Sequence, residues 1–409
     1  MEDLIFIKGA NMNKRCIVIV LDGFGIGETE DVAEVRPQDK GANTLRSILN
    51  HGKDLKIPNL IRLGVLEALA YGEEKDYSDW NYSAFSRIRF AHYGADTFFG
   101  HHEIMGSKPN KPIPQKFNDA IENVYEALRE AGYQAEKLGE EKKQILLVNG
   151  VLTVADNIEC DLGSAFNVTA SLDHIPFEDV VKAGRIVRSV VKVPRVIAFA
   201  GRGINIQKIL EAKEYKGDYV GINAPVSGVY DNDYHCIHLG FGIDAQKQVP
   251  NLLSRKGIDT YLIGKVADIV ENKEENTFSM VPTAKVLEKV LELMDKTGFI
   301  CANVQETDLS GHAQDVNRYA SVLNIADEYI GKIIHKMKEE DLLMVIADHG
   351  NDPLIGHSKH TREYVPLLIY GKSLTRKGKL MQQDTLANVG ATVCSFFECE
   401  LPVFGKAIV

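Results

Sequence analysis

The strongest constraint on the fold is a set of short apolar runs, each bounded by turn-forming residues: CIVIVLDG, RVIAFAG, TYLIGKV, FICANV, LLMVIADHG and PLLIYG. Runs of this length without polar alternation suit strands buried on both faces, the condition of a parallel sheet covered by helices. Between them, at residues 283–296 and 317–338, Leu, Val and Ile recur three and four residues apart, the pattern of amphipathic helices. Strand and helix alternate, so the expected class is α/β, with a mostly parallel sheet flanked by helices.

The middle of the chain reads differently. Residues 110–243 carry their own helical patterns (119–132 and 177–191) and strand-like runs, while the polar motifs lie before and after them. The expectation is a discontinuous core of residues 12–109 and 244–409 with 110–243 inserted as an α+β cap. A length of 409 residues with 44% hydrophobic composition is ample for two cores. Residues 1 to about 12 read as a short extension.

Composition excludes some partners. The formal net charge is −10, with both signs interspersed and no run of Lys or Arg to track a nucleic acid backbone or an anionic membrane. The apolar run 16–21 is too short to span a bilayer or to form a signal-peptide core. Six cysteines without a CxxC pair suit free thiols in a reducing compartment, and a cytoplasmic location is expected. Nothing in the sequence fixes an oligomeric state.

Four segments gather Asp, His and Thr at the ends of the apolar runs. In VLDGFGIG, Asp22 follows a buried strand, at the edge where open parallel sheets present their ligands; Asp beside Gly also serves turn chemistry. In GADTFFGHHEIMG, Asp96, Thr97, His101, His102 and Glu103 crowd between glycines, more functionality than a turn needs, the alternative being a surface loop with local hydrogen bonds. In ETDLSGH, Asp308 and His312 stand four residues apart after FICANV. On a strand end turning into a loop, that spacing lets a carboxylate and an imidazole reach a common ion; a helix-capping Asp with an incidental His is the plainer alternative. In IADHGNDPLIGHSKHTREYVPLLIYG, Asp348 and His349 end a strand, and His357 and His360 follow across a loop, with spacing alone leaving open which of them binds.

Asp22, Asp308 and Asp348 with His312, His349 and His360 make a mixed oxygen and nitrogen set suited to Mn²⁺, Mg²⁺ or Zn²⁺. Three carboxylates repel a phosphate ester, whereas two divalent cations reverse the sign of the site. A threonine hydroxyl is a poor nucleophile at neutral pH until a cation favours its alkoxide, and Thr97 is the candidate for that role.

These motifs resemble those of bacterial phosphopentomutases, members of the alkaline phosphatase superfamily, in the same order along the chain. Further likenesses at DKGANTL (39–45), IPNLIRLG (57–64) and IGKVADI (263–269) extend the resemblance over nearly all of it. It implies an alkaline-phosphatase-like core with two metal ions, usually manganese, beneath an inserted cap. It implies one ion held by Asp22, Asp348 and His349 and the other by Asp308, His312 and His360, with Thr97 between them as the phosphorylated residue. His360, in HTRE, is preferred to His357, and Lys265 in IGKVADI is a candidate contact for substrate phosphate. The chain departs from the family in placing Asp308 four residues before His312 rather than five, in His102 where a Trp is common, and in Gly23 where a Ser is common. The cap's Arg- and Asn-rich segment ending in Asp-Tyr is replaced by FAGRGINIQKILEAKEYKGDY, and its Ala-Asp-Ser motif by DLGSAF at 161–166.

The expected activity is a phosphomutase, moving a phosphoryl group on a small phosphorylated metabolite through phosphothreonine, with the altered cap leaving the pentose open. A metal-dependent phosphatase or phosphodiesterase with the same residues is the alternative, and a non-catalytic metal-binding paralogue a third reading.

Overall fold

The computed structural model describes residues 14–73, 82–160 and 162–408; the N-terminal extension and Asp161 of DLGSAF lie outside the described residues. The chain divides into two compact units, residues 1–109 with 244–409, and residues 110–243.

The first unit is built on an eight-stranded sheet in the order Thr277–Phe278, Thr260–Ile263, Gly298–Val304, Arg15–Leu21, Leu342–Ile346, Val365–Tyr370, Ser83–Ile88, Gly378–Lys379. Arg15–Leu21 lies at the centre, paired in parallel with Gly298–Val304 on one side and Leu342–Ile346 on the other. Its residues are all buried, which is why the run tolerates no polar alternation. Each large aliphatic side chain removed from water there contributes about 1.5–3 kcal/mol. PLLIYG departs from expectation: Val365–Tyr370 runs antiparallel to both neighbours, because an apolar run records burial on two faces and not direction.

Thr283–Leu293 and Val316–Lys336 form amphipathic helices that pack on each other, Val316–Lys336 also meeting Thr44–His51 and Pro58–Leu63. A second group joins Thr97–Ile104, Lys265–Ile269, Val249–Ser254 and Ala387–Phe396.

The second unit has its own sheet, ordered His235–Gly240, Arg195–Gly201, Ala165–Ser171, Leu152–Asp156, Lys143–Val148, Ala135–Glu140, with the hairpin Lys213–Lys216/Tyr219–Ile222 beside it. The run RVIAFAG belongs here, parallel to Ala165–Ser171 and antiparallel to His235–Gly240. Helices Phe117–Glu130 and Phe177–Val190 share one apolar cluster with this sheet, and Ile209 of the short helix Ile206–Glu211 belongs to another. The unit is α+β. No helix among the described residues is long and apolar enough to cross a membrane.

Candidate metal centre

The four motifs that carry Asp, His and Thr in the core meet at one end of its sheet. Asp22 directly follows Arg15–Leu21, and its main-chain N–H donates to the Val304 carbonyl, one strand across (3.3 Å). The chain then turns at Gly23, whose φ of +72° a side chain rarely adopts and where an added Cβ would lie 2.9 Å from Asn351 Cβ. Gly23 N–H donates to Asp348 Oδ1 (3.2 Å), tying the first motif to the fourth.

Thr97 is not on a loop. It opens the helix Thr97–Ile104, capped by Asp96, whose carboxylate accepts from Phe99 N–H (3.1 Å). Gly100 lets this helix close on the Asp348 strand end, since a Cβ there would stand 2.9 Å from the Asp348 carbonyl oxygen. ETDLSGH is likewise helical: Gln305–His312 begins where Gly298–Val304 ends, so Asp308 and His312 share a face one turn apart rather than extending from a strand end into a loop. Thr307 Oγ1 donates to the Asp22 carbonyl (2.6 Å) and fixes that helix against the central strand.

Two groups of ligand atoms result, each within 4.8 Å: Asp22, Asp348 and His349, and Asp308, His349 and His360. His349 stands in both. His312 adjoins the second group, its Nε2 at 3.3 Å from Asp308 Oδ2 and 3.1 Å from His360 Nε2. The free ring nitrogens are aimed by backbone carbonyls: Nδ1 of His349, His360 and His312 faces Gly350 O, Ala95 O and Ser358 O at 3.0, 3.0 and 2.7 Å. Such contacts set ring orientation and leave each Nε2 toward the centre. His357 turns away to Asp39 Oδ1 (3.2 Å). Thr97 Oγ1 donates to Asp348 Oδ2 (2.7 Å).

Lys265 starts a short helix behind Thr260–Ile263, and its Nζ lies 3.0 Å from Asp22 Oδ2 and 3.3 Å from Asp308 Oδ2. Burial works against its charge, but Asp22, Asp308 and Asp348 outweigh it and raise the ammonium above its ordinary range. Burial, then Asp348, pushes the Asp22 carboxyl up to about 7. His349 is raised to about 9 against the effect of its own burial, chiefly by Asp348. Burial is also outweighed at Asp348, which His349 and His101 hold well below the usual carboxylate range, and at Asp308, held low by hydrogen bonds from His312 and His360. Each departure has the same origin: three carboxylates gathered out of water call for positive charge.

The donor set fits divalent cations. Asp22 Oδ1 and His349 Nε2 are buried, face each other at 3.4 Å and have no hydrogen-bond partner. Unsatisfied buried polar atoms are costly, and a cation between oxygen and nitrogen donors would satisfy both.

The sequence reading passed over Asn351 and noted His101 without giving it a role around the candidate ligands. Asn351 Nδ2 donates to Asp308 Oδ1 (2.8 Å), and His101 Nδ1 lies 3.2 Å from Asp348 Oδ2. Their adjacency to Asp348–His349 and Thr97 was the available signal. Glu103 braces the fold, accepting from Ala91 N, His92 N, Thr385 Oγ1 and Leu386 N. In the second unit, Asp218 of the altered segment pairs with Lys116 at 2.6 Å.

A parallel-sheet core whose strand ends gather carboxylates and imidazoles defines a metalloenzyme, and the chain belongs to the Metalloenzyme superfamily, which it matches over residues 14–401. Within it, the chain is a phosphopentomutase-like member of the alkaline phosphatase superfamily. The phosphopentomutase of Clostridium tetani is 31% identical over 416 aligned positions, covering 95% of this chain and 96% of that protein. Among solved structures, a phosphoglycerate mutase from Leishmania mexicana is 14% identical with a TM-score of 0.49, covering 97% of each chain. The PH0037 protein from Pyrococcus horikoshii is 15% identical with a TM-score of 0.41, covering 94% of this chain and 97% of that one.

Proposed function

We propose that this protein is a metal-dependent phosphomutase that moves a phosphoryl group on a small phosphorylated metabolite by way of phosphothreonine at Thr97. The observation that carries this reading is the Thr97 hydroxyl held 2.7 Å from Asp348 Oδ2, beside two ligand groups that share His349. The likeness to a phosphopentomutase supports the reaction class. Asp22, Asp348 and His349 would hold one divalent cation, and Asp308, His312 and His360 the other, Mn²⁺ being the first choice. Bound there, the ions would supply Lewis acidity toward the hydroxyl and the phosphoryl oxygens.

The chain's own residues do the rest. Asp348 Oδ2 holds the hydroxyl hydrogen and fixes the threonine rotamer. Thr97 sits at the N-terminus of its helix, where the helix dipole favours developing negative charge on Oγ1. As Oγ1 forms its bond to phosphorus, the P–O bond of the donor ester breaks and the departing oxygen takes up a proton; the reverse step on another hydroxyl gives the product. Lys265, once its carboxylate partners are neutralised by cations, is free to meet the phosphate.

The test is to load the protein with Mn²⁺ and supply ribose 1-phosphate, ribose 5-phosphate and a panel of sugar and amino-sugar phosphates. Isomer formation, with phosphate found on Thr97 by mass spectrometry, is the expected result. Inorganic phosphate as the sole product would make the protein a phosphatase, and no phosphate on Thr97 with any donor would remove the phosphothreonine route.

A further inference from the structure

His101 is 1% exposed, lies outside both ligand groups, and touches the nucleophile's surroundings at three points. Its Nδ1 is 3.0 Å from the Thr97 carbonyl oxygen, one turn back in the same helix, and 3.2 Å from Asp348 Oδ2. On its far side, Nε2 is 3.0 Å from Asn303 Nδ2, near the end of strand Gly298–Val304. Asp348 Oδ2 is the same oxygen that receives the Thr97 hydroxyl.

The hydrogen positions follow from the partners. A carbonyl and a carboxylate can only accept, so Nδ1 carries the hydrogen. The Asn303 amide then donates to the Nε2 lone pair, which fixes the hydrogen on Nδ1. Asn303 keeps this orientation although its own buried Oδ1 is left without a partner. An orphaned buried oxygen calls for an explanation, and the lock on His101 supplies one.

We infer that His101 and Asn303 are a positioning pair: one N–H shared between the Thr97 backbone and Asp348 Oδ2 holds the nucleophile and the acceptor of its hydroxyl in a single frame. Without that donor, Asp348 is free to turn and Thr97 Oγ1 loses its fixed rotamer. The pair touches no reacting atom, and its consequence for rate rests on the phosphothreonine reading above.

The amide nitrogen of an Asn side chain reaches the place of an imidazole Nδ1, and that of a Gln the place of Nε2. His101→Asn therefore keeps the shared donor, and His101→Gln removes it. In the Mn²⁺-loaded protein, His101→Gln is expected to slow Thr97 phosphorylation roughly 10- to 100-fold with KM for the donor unchanged, the usual range for residues that orient a ligand. His101→Asn should stay within about fivefold of wild type, on the same reasoning. Equal losses in the two variants would overturn the inference. Two readouts do not depend on turnover, and the first does not depend on a variant's folding. Nitrogen-15 NMR of the wild-type protein should find His101 protonated at Nδ1 alone, and protonation at Nε2 alone would overturn the pair. A crystal structure of Asn303→Leu should show Thr97 Oγ1 away from Asp348 Oδ2, and an unchanged contact would overturn it. Should no donor phosphorylate wild-type Thr97, the function proposed above falls, while these two measurements still decide the pair.

Discussion

Buried carboxylates occur in both units of this molecule, and they behave in opposite ways. In the second unit, Asp156 is fully buried, and each of its oxygens is committed to a backbone donor: Oδ1 to Phe117 N (2.8 Å) and Oδ2 to Val220 N (3.1 Å). It joins the start of a helix to the edge of a hairpin. In the first unit, Asp22, Asp308 and Asp348 are equally deep, yet they face one another, and Asp22 Oδ1 has no donor at all. Burial marks both. What marks a binding site is lone pairs left uncommitted and converging, an arrangement that weakens a fold unless a cation completes it.

The sharpest way to break this comparison is to delete one carboxylate from each unit. Asp22→Ala should reduce turnover on the order of 10³-fold or more, as loss of a member of a catalytic constellation does. The metal-free protein should melt no lower than wild type, because one of three mutually repelling buried carboxylates has been removed while Asp308 still pairs with Lys265. A lowered melting temperature together with preserved turnover would reverse the roles of the two units. Next in size is the metal itself. Chelation should lower the stability of the core by about 4 kcal/mol for each ion lost, relative to protein at a thousandfold excess of Mn²⁺ over its Kd, by mass action. Hydrogen exchange should place that loss at the strands beside Asp22 and Asp348 and leave Leu152–Asp156 unaffected.

Asp156→Ala should instead cost about 2–4 kcal/mol, from two backbone N–H groups left unsatisfied, with metal stoichiometry unchanged. Urea unfolding and metal analysis of the same preparation check both halves. The smallest effect is in pH. Burial raises the Asp156 carboxyl to about 6, against the pull of the Phe117 and Val220 N–H groups. An unfolded Asp titrates near 3.9, so the folded chain holds the proton more tightly. The associated stability is fully present below about pH 4 and lost as pH rises through about 6. Asp156→Asn should flatten the dependence, and an unaltered slope would assign it elsewhere.

The central strands and the place of the candidate ligands at their ends were legible in the sequence because apolar runs and clustered Asp and His residues are local signals. CIVIVL and LLMVI are strands, and Asp22, Asp348 and His349 stand where those strands end. The two helices at the site were not legible. Phe98–Ile104 is buried all round, so its sequence carries no polar face to set a helical period. Gln305–His312 is short and holds a Gly before its final His, which reads locally as a turn. The direction of Val365–Tyr370 and the roles of His101 and Asn303 are set by contacts between residues about two hundred or more positions apart, or by strand order, and neither leaves a local trace.

The place of Arg15–Leu21 in the middle of its sheet bears on how the protein is made. Both of its hydrogen-bonded neighbours, Gly298–Val304 and Leu342–Ile346, are translated only after the whole insertion. At about 5–20 residues per second, a ribosome leaves this aggregation-prone apolar strand without partners for roughly 15–70 seconds. Residues 110–243 can meanwhile assemble their own sheet, so the inserted unit is free to mature first while the first unit waits for its last hundred residues.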